Sequence, residues 1–191
     1  MQIEPVILVN QHVRLEPLTE AHIAPLSEVG LDPELWCLIP YRVETPEAME
    51  AYVGKALRTA TDLPFATIER SSGRVVGSTR FMNIDTANRR VEIGATFLAP
   101  AWQRTVINTS AKYLMLRHAF ETWNCHRVEF KTDFLNTKSR NAILRLGATQ
   151  EGIFRQHIVT WSGRLRDSVY FSILDTEWPA IKLRLESIIS C

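Results

Sequence analysis

The chain has 191 residues, of which 46% are hydrophobic and 23% are charged, and its formal net charge is +1. That length fits one domain with a buried core, and the composition is ordinary for a folded soluble protein. The near-neutral charge argues against broad nucleic-acid binding, and no apolar run approaches the roughly 20 residues of a membrane span. We therefore expect a single domain over residues 1–191, with neither nucleic-acid nor membrane partners.

The N-terminal stretch and the cysteines indicate the compartment. The first residues lack a basic region and carry too short an apolar run for a secretory signal, which favours the cytoplasm. The three cysteines, Cys37, Cys125 and Cys191, are scattered without a CxxC pair. This spacing predicts neither a disulfide framework nor a metal site.

The first third of the chain predicts one strand followed by two helices. Residues 13–18 are expected to form a short strand, and a helix follows from Thr19 to about residue 29. A second helix starts where Thr45 offers a capping hydroxyl and Pro46 takes the first helical position. We expect this helix to run to about residue 61.

After Pro64 the pattern changes to period two and predicts a three-strand meander. The strands are expected at residues 65–69, 74–84 and 90–98, with polar turns between them. In the third strand, alternation places one set of side chains on one face: Val91, Ile93, Ala95 and Phe97. It places the other set on the opposite face: Glu92, Gly94, Thr96 and Leu98.

The second half predicts two more helices, a strand, a hairpin and a tail helix. A long apolar helix is expected to open at about Thr109, and a second helix begins just after Asn136 and ends at Gly147. Between them lies a strand at residues 127–133. A hairpin of residues 150–161 and 164–174 precedes a final helix to about residue 189. The elements together predict an α/β (α+β) fold, a mixed sheet with helices on both faces.

Residues 98–146 combine the features of an anion site. A strand ends near Leu98, a polar loop runs from Gln103 to Asn108, and a helix begins after the loop. The first N–H groups of a helix lack intrahelical partners, and the helix dipole favours an anion there. The stretch holds eight Lys/Arg against three Asp/Glu, a balance of +5, so the rest of the +1 chain carries −4. Solvated faces of two surface helices are the alternative explanation of this charge.

A set of short motifs carries a resemblance to a known family. The motifs are Glu92-Ile93-Gly94, Pro100-Ala101-Trp102-Gln103, Asn108-Thr109, His118-Ala119-Phe120, Leu146-Gly147-Ala148, Arg166-Asp167 and Tyr170-Phe171-Ser172-Ile173-Leu174. With the order of elements, they make residues 13–178 resemble the GNAT superfamily of acyl-CoA-dependent N-acetyltransferases, in its RimJ/RimL-type branch. The resemblance implies a GNAT-like mixed, mostly antiparallel sheet of about seven strands, splayed between the fourth and fifth strands.

The resemblance also implies acetyl-CoA as co-substrate. The loop from Gln103 to Asn108 would wrap the pyrophosphate with backbone N–H groups, and pantetheine would pair with backbone in the gap between the splayed strands. The residues implied to contact CoA are Phe97, Leu98, Gln103, Arg104, Thr105, Val106, Ile107, Asn108, Thr109, Asn136, Ser139 and Arg140. Asn136 would hydrogen-bond the pantetheine amide, with capping of the next helix as its alternative role.

One position departs from the family pattern. The central glycine of the pyrophosphate loop is replaced by Val106. If the chain is already helical at Val106, its N–H remains available to phosphate. If close approach of the phosphate requires a bare Cα, the β-branched side chain lowers CoA affinity.

The reaction implied by the resemblance is direct attack of an amine on the acetyl thioester in a ternary complex. We expect Glu92 to act as a water-relayed general base, with an ion pair to Arg80 or Arg89 as its alternative role. Ser139 stands where the RimJ/RimL-type branch carries a serine thought to contact the sulfur, and its alternative is a helix-surface hydroxyl. The tyrosine that many superfamily members use as the acid is Ile143 here.

The acceptor pocket is expected to draw on the early loop and the late hairpin. Its predicted lining residues are Trp36, Tyr41, Glu92 and His157, with core packing as the alternative for the two aromatic residues. The leading function is N-acetylation of a protein N-terminal α-amino group or a small-molecule amine. The alternative is a non-catalytic GNAT-like module that binds CoA or a partner. A monomer or a homodimer is expected, since a hairpin edge strand could pair across a dimer.

Overall fold

The fold is built on a central sheet, and the computed structural model describes residues 1–190. The strands are β1 (Leu8–Val9), β2 (Val13–Pro17), β3 (Leu63–Glu69), β4 (Val75–Asp85), β5 (Arg90–Leu98), β6 (Arg127–Asp133), β7 (Thr149–Val159) and β8 (Leu165–Leu174). The α-helices are α1 (Ile23–Gly30), α2 (Pro46–Arg58), α3 (Val106–Arg117), α4 (Thr137–Leu146) and α5 (Trp178–Ser190). Within residues 1–190, no helix has both the length and the apolar character that crossing a bilayer requires.

The strands lie in the order β1-β2-β3-β4-β5-β6-β8-β7. Neighbouring strands are antiparallel except β5 and β6, which are parallel. The prediction of a mixed, mostly antiparallel sheet is therefore confirmed. The described sheet has eight strands instead of about seven, because β1 is a two-residue strand that no alternating pattern could reveal.

Helices cover both faces of the sheet, as expected. One core packs α3, α4 and α5 on the sheet and includes Leu114 and Leu185, which are fully buried. The other core packs α1 and α2 on the opposite face around the aromatic side chains of Trp36, Tyr52 and Phe97. The central strands β4 and β5 therefore lie between two apolar layers, which keeps water away from both faces.

Local capping signals account for two helix ends. The Thr45 hydroxyl accepts the N–H of Ala48 at 3.2 Å, and Pro46 is the first residue of α2. Gly147 follows α4 at φ 100°, and an added Cβ there would meet Ile181. Both ends stand where the capping residues predicted them.

Two β-bulges interrupt the pairing of β4 with β5. In the first, Ala95 and Thr96 of β5 lie opposite the single residue Thr79 of β4, and Ala95 is left-handed at φ 46°. In the second, the extra residue is on β4, where Asn83 is left-handed at φ 49°. An inserted residue reverses the in–out alternation of every side chain beyond it.

The bulge at Ala95 corrects the predicted faces of β5. Val91 and Ile93 lie in the core with α3, but Phe97 lies in the aromatic core with α1 and α2. The predicted common face for these three residues is wrong, because strict alternation does not anticipate an inserted residue. Glu92 alternates with Val91 and so shares its side of the sheet with Phe97.

Candidate functional site

β5 and β6 diverge, and the divergence leaves one edge of β5 open. Their parallel pairing covers only residues 90–92 of β5 and 127–129 of β6. Beyond it, β5 continues along β4 to Leu98, while β6 continues along β8 to Asp133. Within the described chain, the edge of residues 93–98 that faces β6 therefore has no strand partner. Such an edge presents backbone donors and acceptors to which an extended polar ligand can add as a strand.

The N-terminus of α3 follows directly on this open strand. α3 begins at Val106, and the Thr105 hydroxyl caps it by accepting the N–H of Ile107 at 3.3 Å. The predicted start near Thr109 is wrong. Ile107 is 3% exposed and lies in the core. Its packing therefore stabilises a helical start at Val106 and Ile107, although both residues are β-branched and have a modest helix propensity.

The backbone at Val106 is helical, which is the condition under which its N–H was expected to remain available to phosphate. Val106 is the first residue of α3, and the left-handed residue of the loop is Arg104, at φ 61°. The loop therefore makes its sharp turn two residues before Val106, where a β-branched side chain is not required to adopt a positive φ. The N–H groups of the first turn, from Val106 to Asn108, stand at the positive end of the helix dipole.

Gln103 ties the loop to the end of β5. Its side-chain amide donates to the carbonyl of Leu98 at 3.0 Å. The hydroxyl of Thr105 donates to the carbonyl of Trp102 at 2.7 Å, which closes the loop against the start of α3. The side chains of Phe97 and Leu98 are both buried, in the cores on opposite faces of the sheet.

Glu92 is a buried carboxylate at the last paired position of β5. It is 4% exposed, and its Oε2 accepts from the Asn83 amide at 2.9 Å and lies 3.4 Å from the Lys131 ammonium. A Cβ at Gly94 would lie 3.2 Å from the other oxygen, Oε1, and 2.9 Å from Met82 Sδ. The glycine therefore leaves space beside Oε1 that any side chain would fill.

The arginines expected as alternative partners of Glu92 are engaged elsewhere. Arg80 is buried, lies 3.4 Å from Asp62 and packs over the ring of Tyr52 at 4.9 Å. Arg89 donates to the carbonyl of Asn124 at 2.8 Å. Lys131 is the cation in contact with Glu92, and the buried Arg166 also interacts with this carboxylate electrostatically.

The bulge at Ala95 is held by α2. The Tyr52 hydroxyl donates to the Ala95 carbonyl at 3.1 Å. Tyr52 also packs edge-on against Trp36 at 5.5 Å, and the Trp36 indole N–H donates to the Gly30 carbonyl at 2.8 Å. Burial and the neighbouring Tyr52 raise the pKa of Tyr41, so its hydroxyl stays neutral. Trp36 lies within the core at 1% exposure, and Tyr41 is partly exposed beside it.

The hairpin of β7 and β8 places His157 near Lys131, the partner of Glu92. The imidazole packs edge-on against Tyr170 at 5.7 Å, and Lys131 lies over the same ring at 5.6 Å. Burial and the positive charges of Lys131 and Arg166 lower the pKa of His157, which favours its neutral form. The buried Arg166 has an Nε without a hydrogen-bond partner in residues 1–190.

The start of α4 stands across the gap from α3. Asn136 caps α4, with its Oδ1 accepting the N–H of Ser139 at 2.9 Å. Its amide NH₂ is left for another acceptor, so the cap and a pantetheine contact are compatible. Ser139 is half-buried in the first turn. Arg140 packs over the ring of Phe134 at 4.8 Å and donates to its carbonyl at 3.3 Å.

Sequence reasoning missed three residues that shape the site: Asn83, Lys131 and Tyr52. Asn83 contacts Glu92 because β4 has a bulge at Asn83. Lys131 contacts Glu92 because β6 lies beside β5. An asparagine inside a strand pattern was the available signal, since this residue tolerates the left-handed conformation. The contact of Tyr52 with Ala95 joins residues 43 positions apart, which no local pattern reveals.

Comparisons with known proteins place the chain in a family. Residues 12–149 match the model of the acetyltransferase (GNAT) domain family. The Bacillus subtilis protein YdaF, provisionally named a ribosomal N-acetyltransferase, is 33% identical over 110 residues, which are 58% of this chain and 59% of that protein. The aligned stretch thus spans less than two thirds of that relative.

Solved structures extend the likeness to nearly the whole chain. A GCN5-related N-acetyltransferase from Brucella melitensis is 35% identical, with a TM-score of 0.91 over 97% of this chain and 86% of that chain. RimJ of Mycobacterium smegmatis, solved in complex with CoA-disulfide, is 23% identical, with a TM-score of 0.83 over 96% of this chain and 95% of that chain. The first likeness supports family and fold, and the second supports the fold alone.

Proposed function

Because the chain belongs to the GNAT family of acetyltransferases, we propose that it transfers the acetyl group of acetyl-CoA to a primary amine. The acceptor is the α-amino group of a protein N-terminus or of a small molecule. Residues 1–191 act in this proposal as one domain in the cytoplasm, as a monomer or a homodimer. The proposed reaction runs in a ternary complex and uses no metal.

The observation that carries the proposal is the open edge of β5 beside the start of α3. Residues 93–98 have no strand partner on the side of β6, so the backbone groups still free on that side can pair with the amide groups of a pantetheine arm as with an added strand. At the start of α3, the N–H groups of Val106 and Asn108 and the positive end of the helix dipole can bind the pyrophosphate, while the Ile107 N–H is donated to Thr105. The adjacent Arg104 is exposed and adds a positive charge.

The transfer itself needs a neutral amine and a stabilised oxyanion. The amine nitrogen attacks the thioester carbonyl carbon, a C–N bond forms, the C–S bond breaks, and the thiolate leaves and takes up a proton. Glu92 accepts the proton of the amine through water, and Ser139 donates a hydrogen bond to the departing sulfur. A backbone N–H of the bulge in β5 faces the carbonyl oxygen as its charge develops.

The surroundings of Glu92 favour an acceptor that loses its proton easily. Lys131 and Asn83 already bind its Oε2, which leaves Oε1 as the oxygen that can accept a proton through water. Deprotonating an α-amine with a pKa near 8 costs under about 1 kcal/mol at pH 7.4, whereas a lysine near 10.4 costs about 4 kcal/mol. An α-amino group is therefore the preferred acceptor.

Free-thiol release from acetyl-CoA tests the proposal. A panel of peptides with free N-termini is compared with the same peptides blocked at the N-terminus and carrying a free lysine, and with small amines. We expect thiol release with the free α-amines and an acetylated product by mass spectrometry. Saturable binding of acetyl-CoA without any acetylated product would instead support a non-catalytic module.

A further inference from the structure

A lysine is buried behind the open edge of β5, with hydroxyl groups as its partners. Lys112, on α3, is 5% exposed. Its Nζ donates to Thr79 Oγ1 at 2.8 Å and to Thr96 Oγ1 at 2.6 Å. Burial lowers the pKa of Lys112 to about 7, and no carboxylate of the described chain offsets this effect. A charge in such surroundings is strongly disfavoured.

Packing alone does not call for a lysine at this position. The hydroxyls of Thr79 and Thr96 lie 2.7 Å apart and would remain hydrogen-bonded to each other without it. A methionine of similar length would fill the same space with no ionisable group to desolvate. A buried ionisable group where an apolar one would be more stable indicates a functional role.

The lysine reaches the bulge of β5 from the face opposite to Tyr52. Thr96 Oγ1, which Lys112 contacts, lies 3.3 Å from the Gly94 carbonyl. On the other side, the Tyr52 hydroxyl donates to the Ala95 carbonyl at 3.1 Å. Two consecutive peptide groups of the bulge are therefore held from both faces of the sheet. Both belong to the stretch of β5 that β6 leaves unpaired.

We propose that Lys112 is a positioning residue for acetyl transfer: through Thr96, its amino group fixes the bulged backbone of β5, so that a bulge N–H meets the thioester carbonyl. The inference rests on the proposed function and deepens it. Lys112 touches neither substrate in this proposal. Its amino group lies behind the peptide groups that would face the developing oxyanion, where a preorganised donor acts without reorganisation.

Three variants separate positioning from packing. Lys112→Met removes the amino group, Thr96→Val removes its link to the bulge, and Thr96→Ser keeps that link. Ser110→Ala is the matched control, because Ser110 is a buried residue of α3 whose Oγ has no hydrogen-bond partner in the described chain. Each protein is assayed for thiol release with the best α-amine, for CoA affinity by calorimetry, and for the midpoint of unfolding.

We expect Lys112→Met and Thr96→Val each to lower kcat/KM about 10- to 100-fold, as loss of one oriented oxyanion donor does. The CoA Kd stays within about twofold, and the double variant loses no more than either single one. Thr96→Ser regains most of the rate lost in Thr96→Val, and Ser110→Ala matches the wild type.

Two results would overturn the inference. The first is a Lys112→Met enzyme, or, if that variant does not fold, a Thr96→Val enzyme, with wild-type kcat/KM. The second is a loss of rate matched by an equal loss of CoA affinity, which would mark a merely structural role. A wild-type protein that neither binds acetyl-CoA nor transfers its acetyl group would overturn the proposed function itself, and the inference with it.

Discussion

The two bulges between β4 and β5 share a backbone conformation but use it differently. Asn83 and Ala95 are both left-handed and neither is glycine, with φ of 49° and 46°. At Asn83 the side chain is what matters, because its amide donates to the buried Glu92. At Ala95 the backbone is what matters, because its carbonyl accepts from Tyr52 and the next residue meets Lys112.

The ionisable groups buried beside the two bulges also differ, because only one of them has an oppositely charged partner. Glu92 has a cation within reach, Lys131 at 3.4 Å. Lys112 is held by the hydroxyls of Thr79 and Thr96 alone. A compensated charge can be buried at modest cost, whereas an uncompensated one lowers the stability of the folded state. Burying the charged form therefore costs more free energy at Lys112 than at Glu92.

The largest expected effect is on the pH dependence of stability. The unfolded Lys112 keeps the ordinary pKa of 10.5, and the folded one titrates at about 7. Between these pH values the unfolded chain binds more protons, so stability should rise with pH. Lys112→Met should remove this rise. The free energy of unfolding of the variant minus that of the wild type should therefore be larger at pH 6 than at pH 10, by on the order of 4 kcal/mol. Urea unfolding of both proteins across this range measures it, and parallel pH curves would contradict it.

The second effect is on the rate. Glu92→Gln keeps the shape of the side chain but cannot accept a proton, so kcat/KM should fall by about 100-fold. The matched control is Glu129→Gln. Glu129 lies opposite Glu92 in the register of β5 and β6, and its carboxylate is bound by Arg127. Thiol release with a fixed α-amine compares the two. Full activity in Glu92→Gln would remove the carboxylate from the role of base.

A smaller effect is expected at the start of α3. Thr105→Ala removes the cap that accepts from Ile107, which should destabilise the protein by about 1 kcal/mol and weaken CoA binding several-fold. Thr45→Ala removes an equivalent cap from α2, remote from the gap. Denaturation and calorimetry should show a loss of stability in both variants but a loss of CoA affinity in Thr105→Ala alone. Equal CoA affinities would show that the start of α3 does not hold the pyrophosphate.

The smallest effects separate the two bulges directly. A left-handed residue other than glycine is strained by about 1 kcal/mol, so Asn83→Gly and Ala95→Gly should each relieve part of that strain. Asn83→Gly also removes the amide that binds Glu92, so it should lower kcat about 3- to 10-fold, more than Ala95→Gly does. The reverse ranking of the two rates would mean that the Ala95 side chain matters more than the Asn83 amide.

The sequence predicted the elements better than their registers. The strands at residues 90–98 and 127–133 have the bounds that alternation indicated, and the splay between them followed from the family resemblance. Neither bulge was predicted, because a single inserted residue leaves hydrophobic alternation recognisable on both sides of it. The bounds of β5 were therefore predicted correctly, but the assignment of its side chains to the two faces of the sheet was wrong.

The site was predictable where chemistry is local and not where packing decides. Glu92 stood out as a carboxylate inside an apolar strand, but its partners Asn83 and Lys131 come from neighbouring strands. The start of α3 was misplaced, because the burial of Ile107 outweighs its propensity. The burial of Lys112 was not predicted, since nothing in the sequence indicates that this lysine lies in the core.

The most direct test of the account is isothermal titration of the wild-type protein with acetyl-CoA, with CoA alongside. The open edge of β5 and the start of α3 together predict saturable binding of both ligands at micromolar concentration, with Val106 accommodated in the helix. Absence of binding at millimolar ligand would contradict the account, because neither the pyrophosphate site nor the pantetheine gap would then hold CoA.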